Sequence, residues 1–205
     1  PRSTLFPYTT LFRSPDGEPI FETGNVTPSS IMDTVNNSEN SMFYIRGKLP
    51  DDIRACGRAA VKAFGVKNRF IHFEFFRLTE DQHIGKKGDV VALEVNLRPS
   101  GGKSPDMMNY ANGTDVYEIW ADMAAFGKTD KPCLSRQNCV FASRRKGRNF
   151  AYTAEQIREK YAGHIKEEAP VPEALSGAMA DYMFLATFEK EEDVYRFSAD
   201  VFKEA

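Results

Sequence analysis

The stretch that most constrains this chain runs from Arg69 to Gly102, RFIHFEFFRLTEDQHIGKKGDVVALEVNLRPSGG. It holds two β-rich runs around a polar turn, then a Pro/Gly loop. On a strand alternate side chains share a face, so His72, Glu74 and Phe76 lie together in the first run. In the second, Val90, Ala92, Glu94, Asn96 and Arg98 share one face, while Val91, Leu93, Val95 and Leu97 form an apolar back. A turn centred near Ile84–Gly85 sets Glu74 opposite Glu94. Two carboxylates directly across a strand pair repel each other. The arrangement therefore calls for a proton, a basic side chain or a metal ion to compensate it.

The 205 residues suffice for one good core, or for one domain with an appendage. A formal net charge of −2 gives no field argument for nucleic acid or an anionic membrane. No apolar run approaches the roughly 20 residues that a membrane span needs. Three cysteines, Cys56, Cys133 and Cys139, are odd in number and lack metal-ligand spacing. They read as free thiols of a reducing compartment, and the expected location is the cytosol.

Residues 1–14, PRSTLFPYTTLFRS, read physically as an aromatic-rich strand with TLF repeated. They also resemble, along their whole length, the in-frame translation of a common sequencing-library adapter, and on that ground are set aside from the fold reading. The expectation that follows is that the gene product begins upstream and that this chain is a carboxyl-terminal piece of something longer.

The remaining sequence suggests an α+β order. Pro19 to Val26 reads as a short strand, 31–40 as loop and Met42–Arg46 as a strand. Leu49-Pro50-Asp51-Asp52 opens a helix that carries Ile53, Cys56, Ala60, Ala63 and Phe64 at helical spacing and stops at Gly65. After the hairpin, Ser104-Pro105-Asp106 is an N-cap, N1 proline and first-turn acid. Thr114 or Asp115 caps a second helix with Val116, Ile119, Trp120 and Met123 on one face, closed by Gly127. Residues 128–137 are a polar connection that divides 15–127 from a smaller α+β unit, 128–205. In that unit Asn138–Arg145 and Gly147–Tyr152 read as a strand pair around a basic turn. Thr153 with Gln156 forms a capping box, residues 162–175 read as a Pro-bracketed loop, and Asp181–Phe188 as a strand. A last helix places Val194, Phe197, Val201 and Phe202 on one face. The basic turn, 143–148, reads as a solvated hairpin tip more readily than as a nucleic-acid patch.

Glu94-x-Asn96-x-Arg98 sets a carboxylate, an amide oxygen and a guanidinium at steps of about 6.6–6.8 Å on one strand face, and Glu74 adds a second carboxylate. Hard oxygen donors of this kind suit Mg²⁺ or Mn²⁺, with phosphate oxygens completing the shell. The competing reading is a solvent-facing sheet whose carboxylates pair with Arg98, Arg77 or lysines. His72, His83 and His164 form no triad by spacing.

The order helix, F-x-F-E-F-F, hairpin, E-V-N-x-R-P-x-G-G resembles the ATP-grasp superfamily in its carboxyl-terminal nucleotide-binding subdomain, over residues 19–127. Biotin carboxylase and the carbamoyl-phosphate synthase large subunit belong to that superfamily. The resemblance implies an antiparallel sheet with packed helices, and ATP with Mg²⁺ or Mn²⁺ as cofactors. It implies Glu74 and Glu94 as metal-bridging carboxylates that also hold the nucleotide, and Asn96 as third ligand. Phe76 would lie beneath the adenine, and Arg98 would hold the acyl phosphate as the catalytic group. The Pro99–Gly102 turn would let substrate approach the backbone. The implied reaction is ligation: a small carboxylate or bicarbonate becomes an acyl phosphate that an amine or other nucleophile attacks. No nucleic acid or membrane partner is expected, and a homo-oligomer stays open. Residues 15–48 supply no Gly-rich flap, so the chain by itself is expected to be inactive as a ligase. A non-enzymatic ATP- or metal-binding module is the rival reading.

Overall fold

A strand buried on both faces appears in sequence as an unbroken apolar run rather than an alternation, and VFA at 140–142 and MFLA at 183–186 are such runs. The computed structural model describes residues 3–13, 19–28, 31–67 and 69–205, with 3–13, 31 and 33 given by backbone only. In chain order the elements are β1 (Ser3–Arg13), β2 (Pro19–Val26), α1 (Ile31–Asn36), β3 (Ser41–Arg46), α2 (Asp51–Phe64), β4 (Ile71–Leu78), β5 (Val90–Asn96), α3 (Ser104–Asn112), α4 (Val116–Phe126), β6 (Asn138–Arg144), α5 (Ala154–Lys160), β7 (Ile165–Pro170), α6 (Glu173–Met179), β8 (Tyr182–Phe188) and α7 (Glu191–Phe202). The described strands form one sheet in the order β5-β4-β1-β2-β3-β6-β8-β7. Each pairing is antiparallel. This is the expected α+β class, an antiparallel sheet with packed helices.

Strand parity divides the core. Ile45, Cys139, Phe141, Met183 and Leu185 face one side, where Met107, Met108 and Ala111 of α3 and Ile119 and Met123 of α4 cover them. Tyr44, Val140, Ala142, Phe184 and Ala186 face the other, under Ile157 of α5 and Val194, Phe197 and Val201 of α7. Covering both faces is why β6 is buried along its whole length. Glu191, in the first turn of α7, takes hydrogen bonds from Tyr44 Oη and Arg46, which ties β3 to that helix. A third cluster joins Ile53 and Val61 of α2 to Ile71, Phe73 and Phe75 of β4. β3 pairs with β6, so the sheet runs unbroken from the 15–127 stretch into 128–205.

The end signals mostly act as read. Gly65 and Gly127 adopt left-handed conformations that close α2 and α4. The Asp115 side chain accepts from Tyr117 and Glu118 N–H, and Thr153 and Gln156 form the reciprocal capping box. α3 begins one residue early: Ser104 is its first residue and Lys103 its N-cap, without a side-chain cap. On α2 the buried positions are Ile53, Gly57 and Val61, whereas Phe64 is 61% exposed. Trp120 is 47% exposed yet packs edge-on against Phe70.

Four expectations are corrected. Residues 31–36 form α1 rather than loop, and the Pro-bracketed stretch holds β7 and α6. Residues 147–152 form no strand. β6 already pairs with β3 on one edge and β8 on the other, which leaves Phe150 a single bridge to Glu204. Finally, the hairpin carries a bulge: Glu74 pairs with Glu94 but Phe75 pairs with Ala92, so Leu93 is the extra residue. Val90 and Val95 therefore pack toward α2 while Val91 stands opposite Phe76, and Leu93 and Leu97 lie about half exposed. The continuous apolar back does not form.

Ser3–Arg13, set aside on sequence grounds, forms β1 between β2 and β4, with Thr10 opposite both Glu22 and Ile71. Residues 1, 2 and 14 lie outside the described residues. This placement is separate from the segment's origin, since an extended β-prone peptide satisfies two open strand edges whatever its source. No described helix is long and apolar enough to cross a membrane.

Phe184 is fully buried between β8 and α7. Phe184→Ala is expected to cost about 3–5 kcal/mol in urea denaturation, and Phe64→Ser to stay within about 0.5 kcal/mol.

Candidate functional site

β4 is flanked by β1 and β5, which fixes its register on both edges. On its face opposite α2 it presents His72, Glu74 and Phe76. β5 sets Asn96 opposite His72 and Glu94 opposite Glu74, and the Leu93 bulge follows immediately. Bulges of this kind re-aim side chains and recur beside active sites; here the extra residue keeps Glu94 facing Glu74 while the rest of β5 shifts by one. The turn lies at His83–Ile84, bridged by Gln82 and Gly85.

The Asn96 amide nitrogen donates to Glu94 Oε1 at 3.0 Å, which leaves the amide oxygen as an acceptor. Arg98 donates to the Pro99 carbonyl at 3.0 Å. The Glu74 carboxyl is held above its ordinary 4.5, first by burial, then by the charge of Glu94, with Arg98 pulling it down. His72 is held below its ordinary 6.5 by burial and next by Arg98, with Glu94 opposing. The electrostatic conflict expected from the sequence is thus present, and Arg98 offsets it only in part.

A cavity of about 230 Å³ opens beside this face, lined by Asn25, Phe43, His72, Glu74, Ser100 and Met179 with the Gly101–Gly102 backbone. That is room for several waters or a small oxyanion. Among the described residues, three of its buried polar atoms have no hydrogen-bond partner: Asn25 Oδ1, His72 Nδ1 and Ser100 Oγ. Buried polar groups are ordinarily met by a protein partner or by ordered water, and the cavity has room for such water. Gly102 has φ +61°, and a Cβ there would meet Met179 Cε at 3.3 Å. The loop therefore needs glycine for backbone angle and packs closely on α6. Lys103, beside it, pairs with Glu167 of β7 at 2.6 Å.

Of the residues read from sequence, Glu74, Glu94 and Asn96 come together, with Arg98 close enough to shift Glu74 and His72. Phe76 lies two residues from Glu74 on the same face, half-buried, opposite Val91 and outside the cavity lining. The Pro99–Gly102 turn, expected to meet substrate through its backbone, lines the cavity with the Ser100 side chain as well; Asn25 and the α6 wall are not signalled by the sequence reading, though Pro172-Glu173 at the start of α6 is a helix-opening pair. Among the described residues no group of three or more His, Cys, Asp or Glu side chains is placed to hold a metal; this set offers two carboxylates and an amide.

No protein-family model matches the chain, and no curated protein matches its sequence. Solved structures do. Phosphoribosylglycinamide synthetase from Anaerococcus prevotii superposes with a TM-score of 0.65 at 13% identity, over 98% of this chain and 52% of that one. The fold is that of the ATP-grasp enzymes. The phosphoribosylaminoimidazole carboxylase ATPase subunit from Aquifex aeolicus gives 0.58 at 11% identity, over 97% of this chain and 58% of that one. A biotin carboxylase from Campylobacter jejuni, solved as a β-γ-ATP complex, gives 0.50 at 12%, over 96% and 44%. The chain spans about half the length of these ATP-grasp structures.

A raised carboxyl pKa means that the folded state keeps its proton longer than the unfolded one, so Glu74's contribution to stability is full below pH 4.5 and lost as pH rises through its folded value. For His72 the sign is opposite: its contribution is present above pH 6.5 and lost as pH falls through its depressed value. Glu74→Gln is accordingly expected to stabilise the chain in EDTA at pH 7, by about 0.2–1 kcal/mol. Glu94→Gln should lower the Glu74 pKa in a carboxyl-carbon NMR titration. An unmoved Glu74 would show that the two carboxylates do not interact.

Proposed function

We propose that residues 15–127 carry the metal side of an ATP site, and that the chain serves an ATP- and Mg²⁺-dependent ligation in which a small carboxylate or bicarbonate becomes an acyl phosphate. The single observation that carries this reading is the Glu74–Glu94 pair, registered face to face beside a polar cavity with its repulsion only partly offset. The ATP-grasp fold supports it, as does a nucleotide complex among the neighbours.

The donor set fits a hard divalent ion: two carboxylates and an amide oxygen, with room for phosphate oxygens and water. A bound cation would supply charge neutralisation to a phosphoryl group in transfer. The chain's own part is positional. Glu74 and Glu94 bring anionic oxygens, and Asn96 steadies Glu94 through its NH₂ while keeping its carbonyl free. Arg98 presents a guanidinium to the anionic acceptor. Phe76 offers an apolar surface for the base. His72, favoured as neutral by burial, gives the cavity a hydrogen-bonding group without adding charge. Asn25 Oδ1 and Ser100 Oγ meet the polar part of the occupant, and Gly101–Gly102 allow close approach to the backbone. Residues 128–205 form the smaller unit that closes the cavity through α6.

Isothermal titration with Mg-ATP tests the reading. The chain should bind, and Glu94→Gln should weaken binding at least about tenfold, or about 1.4 kcal/mol, without lowering thermal stability. Equal binding by both proteins would reject the site. Binding that needs no divalent ion would reject the metal role.

A further inference from the structure

Only the outer part of the basic turn 143–148, Lys146 to Arg148, is a solvated tip. Ser143 is fully buried and Arg144 is 7% exposed. Arg144 Nε donates to the Val201 carbonyl at 2.7 Å, while its Nη2 has no partner among the described residues. Its guanidinium lies 4.5 Å from the Phe150 ring centroid and 5.7 Å from that of Phe184. The rings attract a cation but bring no counter-charge, and a buried charge without one is strongly unfavourable.

A cavity of about 780 Å³ opens at this residue. Its walls carry four cationic side chains, Arg144, Arg145, Lys146 and Arg148, against two carboxylates, Glu173 and Asp181. Two of the cations are occupied. Arg145 donates to the carbonyls of Glu39, Ser176 and Gly177, and Arg148 pairs with Glu204 at 2.9 Å and donates to the Ser38 carbonyl. The Lys146 backbone N–H donates to Asp181, but its ammonium makes no ion pair among the described residues. Phe150 and Tyr182 give the same cavity flat apolar walls.

We propose that this cavity binds the phosphate of a small phosphomonoester, with Arg144 and Lys146 as its cations and Phe150 and Tyr182 packing against the planar group that carries it. With Arg145 beside Asp181 and Arg148 on Glu204, Arg144 and Lys146 remain against Glu173, and two cations meeting at one pocket suit the three acceptor oxygens of a phosphomonoester better than the two of a carboxylate. A polyanion would need an extended basic track with stacking positions; these charges instead line one concave pocket in a chain of net charge −2. The site lies at the β6–β8 end of the sheet, away from β4 and β5, and does not depend on the ATP reading.

Titration of the full chain at fixed ionic strength, with phenyl phosphate, inorganic phosphate and benzoate as probes, tests this. Phenyl phosphate should bind at least about tenfold tighter than benzoate, about 1.4 kcal/mol, and tighter than inorganic phosphate. Lys146→Gln, at an exposed position, should weaken phenyl phosphate about tenfold without moving the thermal midpoint. Arg144→Gln should weaken it further, and if that variant fails to fold, Lys146→Gln decides. Glu94→Gln should leave this binding unchanged. Equal binding of phenyl phosphate and benzoate, unaltered binding by Lys146→Gln, or binding of a short single-stranded oligonucleotide where phenyl phosphate fails would each overturn the proposal.

Discussion

Two carboxylates held face to face on hydrogen-bonded strands form the constraint around which one end of this sheet is arranged. β4 cannot slip to relieve it, because β1 and β5 fix its register from both sides and Phe73 and Phe75 anchor its other face under α2. Moving either strand by one residue would carry Phe73 out of its cluster and set Glu74 against α2. The repulsion is therefore retained and met locally, in part by Arg98 and in part by a raised Glu74 pKa.

The sheet divides its labour along its width. At β6 and β8 both faces are covered and the side chains are almost wholly buried, which is where large apolar burial stabilises the fold. At β5 the strand is an edge, bulged and half-exposed. The polar face of β4 meets a cavity lined also by β2, β3 and the 100–102 loop. α3 joins the two regions: it packs on the β6 side of the core, and the Ser100–Gly102 loop leads directly into its first turn.

Much of this was legible because the signals are local. The Gly65 and Gly127 stops, the Asp115 cap and the Thr153–Gln156 box need only neighbouring residues, and the Glu74–Glu94 register follows from two strands and a turn. The Leu93 bulge was hidden because Val91, Leu93, Val95 and Leu97 keep an unbroken every-other-residue apolar series; only at an edge, where Leu93 and Leu97 can stay exposed, does that pattern yield to a shift. α1 and α6, at six and seven residues, are too short to show a helical period. Residues 147–152 carry β-prone aromatics but no strand, because both edges of β6 were already taken. The orphaned trio Asn25, His72 and Ser100 comes from β2, β4 and the post-hairpin loop, so their convergence was a tertiary fact.

The central claim, a divalent-cation seat on the β4–β5 face, is tested most directly by adding Mn²⁺ to the chain and following carboxyl and amide carbons by NMR. A seat there predicts that the Glu74 and Glu94 carboxyls and the Asn96 amide broaden first, at substoichiometric Mn²⁺, and recover when Mg²⁺ is added in excess. Broadening that begins at exposed carboxylates such as Asp81 or Glu118 while Glu74 stays sharp would contradict it.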